Sequence, residues 1–216
     1  MKIDIAVVDY GMGNLRSVSK ALEHVAPHLN IVVTDQAEQI HAADKVVFPG
    51  QGAMPDCMRE LELRQLKQAV IQASKQKPFL GICIGLQLLF EHSQEGDAQG
   101  LAILPGQVKK FPAARMHDAA GNKLKVPHMG WNQVYQTRQH PMWQDIEDGE
   151  RFYYVHSYYV EPQQTSIIAG VSEYPEKFTS VIACENIFAV QFHPEKSQHA
   201  GLQLLKNFVA WDGAIY

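Results

Sequence analysis

One cysteine is held between two glycines, in Phe79-Leu80-Gly81-Ile82-Cys83-Ile84-Gly85-Leu86-Gln87-Leu88-Leu89-Phe90. The apolar residues from Phe79 have the length of a short buried strand, and Leu86, Leu89 and Phe90 then recur at helical spacing. A strand that turns abruptly into a helix at a nucleophile is a nucleophile elbow, here with sulfur in place of the serine oxygen. Glycines on both sides relieve the crowding of that turn. The helix N-terminus favours negative charge and so favours the thiolate, and the Ile84 N–H becomes a donor for an oxyanion. A buried core cysteine at a strand–helix junction has the same local pattern, so the rest of the chain must decide.

A nucleophile needs a base. Ile187-Phe188-Ala189-Val190-Gln191-Phe192 reads as a buried strand running directly into His193-Pro194-Glu195. The proline keeps His193 out of the helical region, and residues two apart in an extended chain point to the same side. His193 can then take the thiol proton while Glu195 orients the imidazole, a Cys-His-Glu triad. The oxyanion site is completed by the loop Pro49-Gly50-Gln51-Gly52 after the apolar stretch Lys45–Phe48. Its glycines let backbone N–H groups turn towards a carbonyl.

With P-G-x-G, G-x-C-x-G-x-Q and H-P-E in this order, the chain resembles the class I, triad-type glutamine amidotransferases. Within that class it is similar to the glutaminase subunits of imidazole glycerol phosphate synthase. The segments that carry the resemblance are Asp9-Tyr10-Gly11-Met12-Gly13-Asn14-Leu15, Pro127-His128-Met129-Gly130-Trp131-Asn132, Tyr153-Tyr154-Val155-His156-Ser157-Tyr158 and His193-Pro194-Glu195-Lys196-Ser197. They reach from residue 9 to residue 197. Gln51 departs from the small or aliphatic residue usual in that loop.

The resemblance implies a fold, a reaction and a partner. The fold would be a single α/β domain over 1–216, flavodoxin-like, with a mostly parallel central sheet flanked by helices and extra strands in the C-terminal half. The reaction would be glutamine hydrolysis through a thioester. Cys83, His193 and Glu195 would be catalytic, and Gly50, Gln51, Gly52 and Ile84 would form the oxyanion hole. Gly52, Gln87, Ser157 and Tyr158 would hold glutamine, with Glu95 at its α-ammonium. The ammonia would pass to a (β/α)8-barrel cyclase subunit making imidazole glycerol phosphate in histidine biosynthesis. That partner would dock around Asn14, Met129, Trp131, Tyr153 and Lys196. Another ammonia acceptor, or a degenerate module that only binds a partner, remains an alternative; the intact triad residues argue against the second.

The elements that must position these residues follow from the apolar pattern. Strands are predicted at 3–8, 31–34, 45–48 and 78–82, alternating with helices near 14–25, 56–75 and 84–91, which means parallel strands joined by crossovers. The loop at 49–52, Cys83 and His193 all follow strands, so they share the carboxyl edge where such sheets bind ligands. Beyond residue 107 the pattern is of strands, near 107–111, 131–136, 151–160, 166–171, 178–184 and 187–192, before a helix at 198–210. Residues 113–122 are polar and small, a flexible connection.

Composition sets limits. A chain of 216 residues suits one domain with a substantial core, and a net charge of −4 leaves no basic footprint for nucleic acid. Cys57, Cys83 and Cys184 are far apart, without metal spacing or a disulfide framework, so no metal or cofactor is expected and the compartment reads as cytoplasmic. Cys57 and Cys184 read as packing residues. The start of the chain is a strand with two aspartates rather than a signal peptide, and no apolar run is long enough to span a membrane. Among the histidines, His24, His28, His41, His92, His117, His140 and His199 read as solvated, and His128 and His156 as structural or interfacial. The strand Ile5–Asp9 followed by Gly11-x-Gly13 and a helix, with Asp35 ending the next strand, imitates a dinucleotide fingerprint, but Arg16 occupies the third glycine position and that reading leaves Cys83, His193 and Glu195 without a role.

Overall fold

The computed structural model describes residues 2–112, 116–117 and 121–214. Most of the expected connection at 113–122 lies outside the described residues. Five parallel strands form the centre, in the order β2 (Ile31–Thr34), β1 (Ile5–Val8), β3 (Lys45–Gly50), β4 (Phe79–Cys83) and β13 (Ile187–Val190). β1, β4 and β13 are buried along their whole length, which is why their sequences run apolar without alternation. The helices between them are α1 (Leu15–Val25), α2 (Ala37–Ala42), α3 (Met54–Leu63), α4 (Lys67–Gln76) and the single turn α5 (Ile84–Gln87), with α6 (Gln198–Ala210) closing the chain. α1 packs on α6 and α2 on α4.

The sheet continues beyond β13 through antiparallel β12 (Lys177–Cys184), β10 (Tyr158–Pro162) and β7 (Leu104–Lys110) to β5 (Phe90–Ser93) and β6 (Ala98–Gln99). β11 (Ile168–Glu173) branches from β12 and leads to β8 (His128–Gln136), which pairs with β9 (Glu150–His156). The expected parallel sheet with extra strands in the C-terminal half is therefore present.

Three expected elements come out differently. The helix expected over 56–75 is two helices, because Gln65 adopts a left-handed backbone (φ 59°) between them. The helix expected over 84–91 stops at Gln87, and Phe90 opens β5, which pairs with β7. The strand expected over 151–160 breaks at Ser157, sending β9 to β8 and β10 to β7 and β12. The first two breaks lie where apolar residues continue on both sides: Leu61 and Leu66 across the first are both buried, as are Leu88, Leu89 and Phe90 at the second. Hydrophobic period alone could not mark them.

Candidate active site

β3, β4 and β13 are neighbours in the sheet, and their carboxyl ends carry the Gly50–Gly52 loop, Cys83 and, just beyond β13, His193. At the elbow Cys83 takes φ 56° and ψ −111°, a conformation that costs a non-glycine residue about 1–3 kcal/mol. Tight packing holds it there. A Cβ on Gly85 would land on the carbonyl oxygen of Phe48, and one on Gly81 would come within 2.8 Å of the Ala189 Cβ. The glycines flanking the cysteine thus let β4 and α5 lie directly on the strands to either side. The Cys83 residue is 4% exposed.

His193 and Glu195 follow the end of β13, Glu195 in a short 3-10 turn, Pro194–Lys196. The imidazole Nδ1–H donates to Glu195 Oε1 at 2.9 Å, and both side chains are almost wholly buried. His193 Nε2 has no hydrogen-bond partner among the described residues and is the nitrogen left for Cys83. Burial disfavours the imidazolium, but the neighbouring Cys83 sulfur and Glu195 carboxylate outweigh it and lift the His193 pKa to about 10. The sulfur acts on the ring through its field and proximity without completing a well-aligned hydrogen bond. His193 is also tied to β9: its N–H donates to Tyr153 O at 2.9 Å, and Ser197 Oγ donates to His193 O at 2.6 Å while accepting from Tyr153 N–H at 2.9 Å.

Opposite His193, the Gly50–Gly52 loop lies against the elbow, with Gly50 in register with Cys83 and packed on the Tyr10 hydroxyl and Ile84. Gly52 has φ +112°. Outside the strand ladders and helices, the N–H groups of Gln51, Gly52 and Ile84 make no hydrogen bond to another described residue. These parts enclose a cavity of about 230 Å3 lined by Gln51, Gly52, Cys83, Ile84, Gln87, Glu95, Pro127, Val155, His156, Ser157, Tyr158 and His193. Its size suits one amino acid rather than a nucleotide. Glu95 Oε2 also accepts from Met54 N–H at 2.8 Å, capping α3 from outside.

Sequence reasoning missed a polar network beneath this cavity. Gln87 Nε2 donates to Tyr158 O at 3.1 Å and to Gln191 Oε1 at 3.0 Å, and Gln191 Nε2 lies 3.8 Å from Cys83 Sγ. His156 Nδ1 also donates to Tyr158 O, at 2.8 Å. Its Nε2 must then accept, so His128 donates to it from Nδ1 at 2.9 Å, and Asn132 Nδ2 donates in turn to His128 Nε2 at 3.3 Å. Burial pushes His128 down to about 4, and burial with the nearby imidazoles pushes His156 down to about 3, so both are neutral. A lone glutamine inside an otherwise apolar strand run, Gln191, was the available signal.

His140 corrects an expectation. It is buried, not solvated, accepting from Met142 N–H at 3.1 Å beside Phe188 and Trp211, and burial plus the Arg138 charge lowers it to about 4. The exposed surface next to the site carries Met129 and Trp131, 62% and 42% exposed, with the Trp131 ring edge-on to Tyr153. Asn14 and Lys196 are half-buried, and Lys196 makes no ion pair with a described residue.

The model of the glutamine amidotransferase class-I family matches residues 6–211. The chain belongs to that family. It is 64% identical, over 98% of its length and 93% of the relative's, to the imidazole glycerol phosphate synthase subunit HisH of Thiobacillus denitrificans. It is 61% identical, over 96% and 98%, to the protein of the same name from Aromatoleum aromaticum. Among solved structures, a putative GMP synthase component from Thermoplasma acidophilum shares the fold, with a TM-score of 0.68 at 17% identity over 97% of this chain and 94% of that one.

Proposed function

We propose that this chain is the glutaminase subunit of an imidazole glycerol phosphate synthase, cleaving glutamine at Cys83 and passing ammonia to a (β/α)8-barrel cyclase subunit. The observation that carries the chemistry is a sulfur on a strained elbow, with a buried His193–Glu195 pair on one side and the glycine-flanked Gln51 loop on the other. Cys83 thiolate attacks the side-chain carboxamide carbon. The oxyanion accepts from Ile84 and from the Gly50–Gln51–Gly52 loop, where each well-placed donor is worth about 2.7–4 kcal/mol. His193 delivers the proton that lets ammonia leave, Glu195 holds the ring, and water then hydrolyses the thioester to glutamate. Gly52, Gln87, Ser157 and Tyr158 hold the substrate in the cavity they line, and the Glu95 carboxylate meets its α-ammonium. The cyclase docks on the neighbouring surface, over Asn14, Met129, Trp131, Tyr153 and Lys196.

The high identity to proteins named for that synthase, over nearly the whole chain, supports the choice of acceptor. The test is Cys83→Ser in the assembled complex. Glutamine-dependent synthesis should fall by a factor of about a thousand or more, while synthesis from added ammonium salt stays within about twofold. Glutamine turnover at the normal rate would refute the assignment.

A further inference from the structure

Beyond the triad, Gln191 occupies a position that packing alone does not explain. It is wholly buried at the end of a run of apolar strand residues, where an amide is costly unless its hydrogen bonds are made. Its backbone N–H is bound by Ser180 O, and its side chain reaches Cys83. Gln191 and His193 both lie in the short buried segment that leaves β13, and both address the one sulfur of Cys83.

The orientation of the amide is fixed by one atom. The Tyr158 carbonyl oxygen can only accept, and it takes Gln87 Nε2 and His156 Nδ1. Gln87 therefore presents its NH2 group at that point, and the same nitrogen lies 3.0 Å from the Gln191 amide, whose facing atom must be the oxygen. The Gln191 nitrogen is then left for the sulfur. A flipped Gln191 would set two NH2 groups face to face and turn an oxygen lone pair onto a thiolate.

We infer that Gln191 is a positioning residue for the nucleophile, donating a side-chain N–H to the Cys83 sulfur in an orientation locked through Gln87 and the Tyr158 carbonyl. An N–H···S contact at 3.8 Å is weak to a thiol and stronger to a thiolate, so the amide favours the reactive form and aims it. Gln191 does not line the cavity and acts through Cys83. This rests on Cys83 being the nucleophile.

The experiment is the pH profile of Cys83 alkylation by iodoacetamide in the full chain, read by mass spectrometry at the Cys83 peptide so that Cys57 and Cys184 do not contribute. Gln191→Met, equal in length but without a donor, should move the alkylation midpoint up by about one pH unit. Gln191→Glu, which keeps an acceptor for Gln87 but sets a carboxylate oxygen on the sulfur, should move it further. A midpoint unchanged in both variants overturns the inference. Should both fail to fold, the unaltered chain still decides: with 15N-labelled glutamine, the Gln191 side-chain amide signal should shift with the same midpoint as Cys83 alkylation, and a signal indifferent to that titration overturns the role. Failure of the underlying reading looks different. In that case the Cys83 midpoint of the unaltered chain lies near that of a free thiol, and His193→Asn leaves it there.

Discussion

Gly85 leaves the residues around the nucleophile almost no freedom. A Cβ there would meet the Phe48 carbonyl, a backbone atom of a central strand that cannot swing aside as a side chain can. Gly85→Ala should therefore destabilise the fold by about 3 kcal/mol or more, seen as a lower urea midpoint with an unchanged slope. Should that midpoint stay within error of the original, the close approach of α5 to β3 is wrong. The same crowding leaves its mark on the chain as a glycine on each side of Cys83, a pattern that a core cysteine shares, so only His193-Pro194-Glu195 further on tips the reading towards a nucleophile. His193 and Glu195 were readable because their spacing across a proline is chemically informative. Gln191 was not singled out, since its partners, Gln87 and the Tyr158 carbonyl, come from distant segments and only the folded arrangement brings them together. His140 misled for the opposite reason. Its polar neighbours in sequence, Arg138 and Gln139, gave no hint of Phe188 and Trp211 closing over the ring.

At the level of elements, two hydrogen bonds join β9 to the segment around the 3-10 turn, and a third, from Ser197 to His193, braces that segment itself. Two of them use the Ser197 hydroxyl. Ser197→Ala leaves the triad side chains intact but removes both, at a cost of about 1–3 kcal/mol, and lets the turn that carries Glu195 drift against β9. The expected result is a fall in kcat of about tenfold with the KM for glutamine within about twofold; a KM effect with normal kcat would assign Ser197 to substrate binding instead. Tyr153 lies in register with exposed Trp131, so one paired set of strands bears both the outer aromatic surface and the anchor of His193. The alternation of β1 to β4 with helices was legible from the apolar pattern because the strands at its centre are uniformly buried. The ends of α3 and α5 were not, because buried leucines resume after the first turn and the second is apolar throughout, so the hydrophobic pattern carries across both while the backbone changes direction.

For the molecule as a whole, buried imidazoles set the response to acid. His128 and His140 at about 4 and His156 at about 3 all lie below the unfolded value of about 6.5, so on acidification the unfolded chain binds protons first. Stability should be lost as the pH falls from about 6.5, at about 1.4 kcal/mol per pH unit for each ring. His193, raised to about 10, contributes in the other direction, with stabilisation present below about 6.5 and lost as the pH climbs towards 10. The thermal midpoint should peak near about pH 6.5–7, and a flat profile between about pH 7 and 4.5 would contradict the burial of these three rings. The placement of β13 between β4 and β12 has a further consequence for the chain during its synthesis. The segment with Cys83 leaves the ribosome more than a hundred residues ahead of the one with Gln191 and His193. At about 5–20 residues per second, the Cys83 thiol waits several seconds or longer without His193. If Cys83 and His193 act as proposed, a nascent chain cannot release ammonia before its last strand has threaded into the middle of the sheet, and chains that stall in translation are silent rather than wasteful.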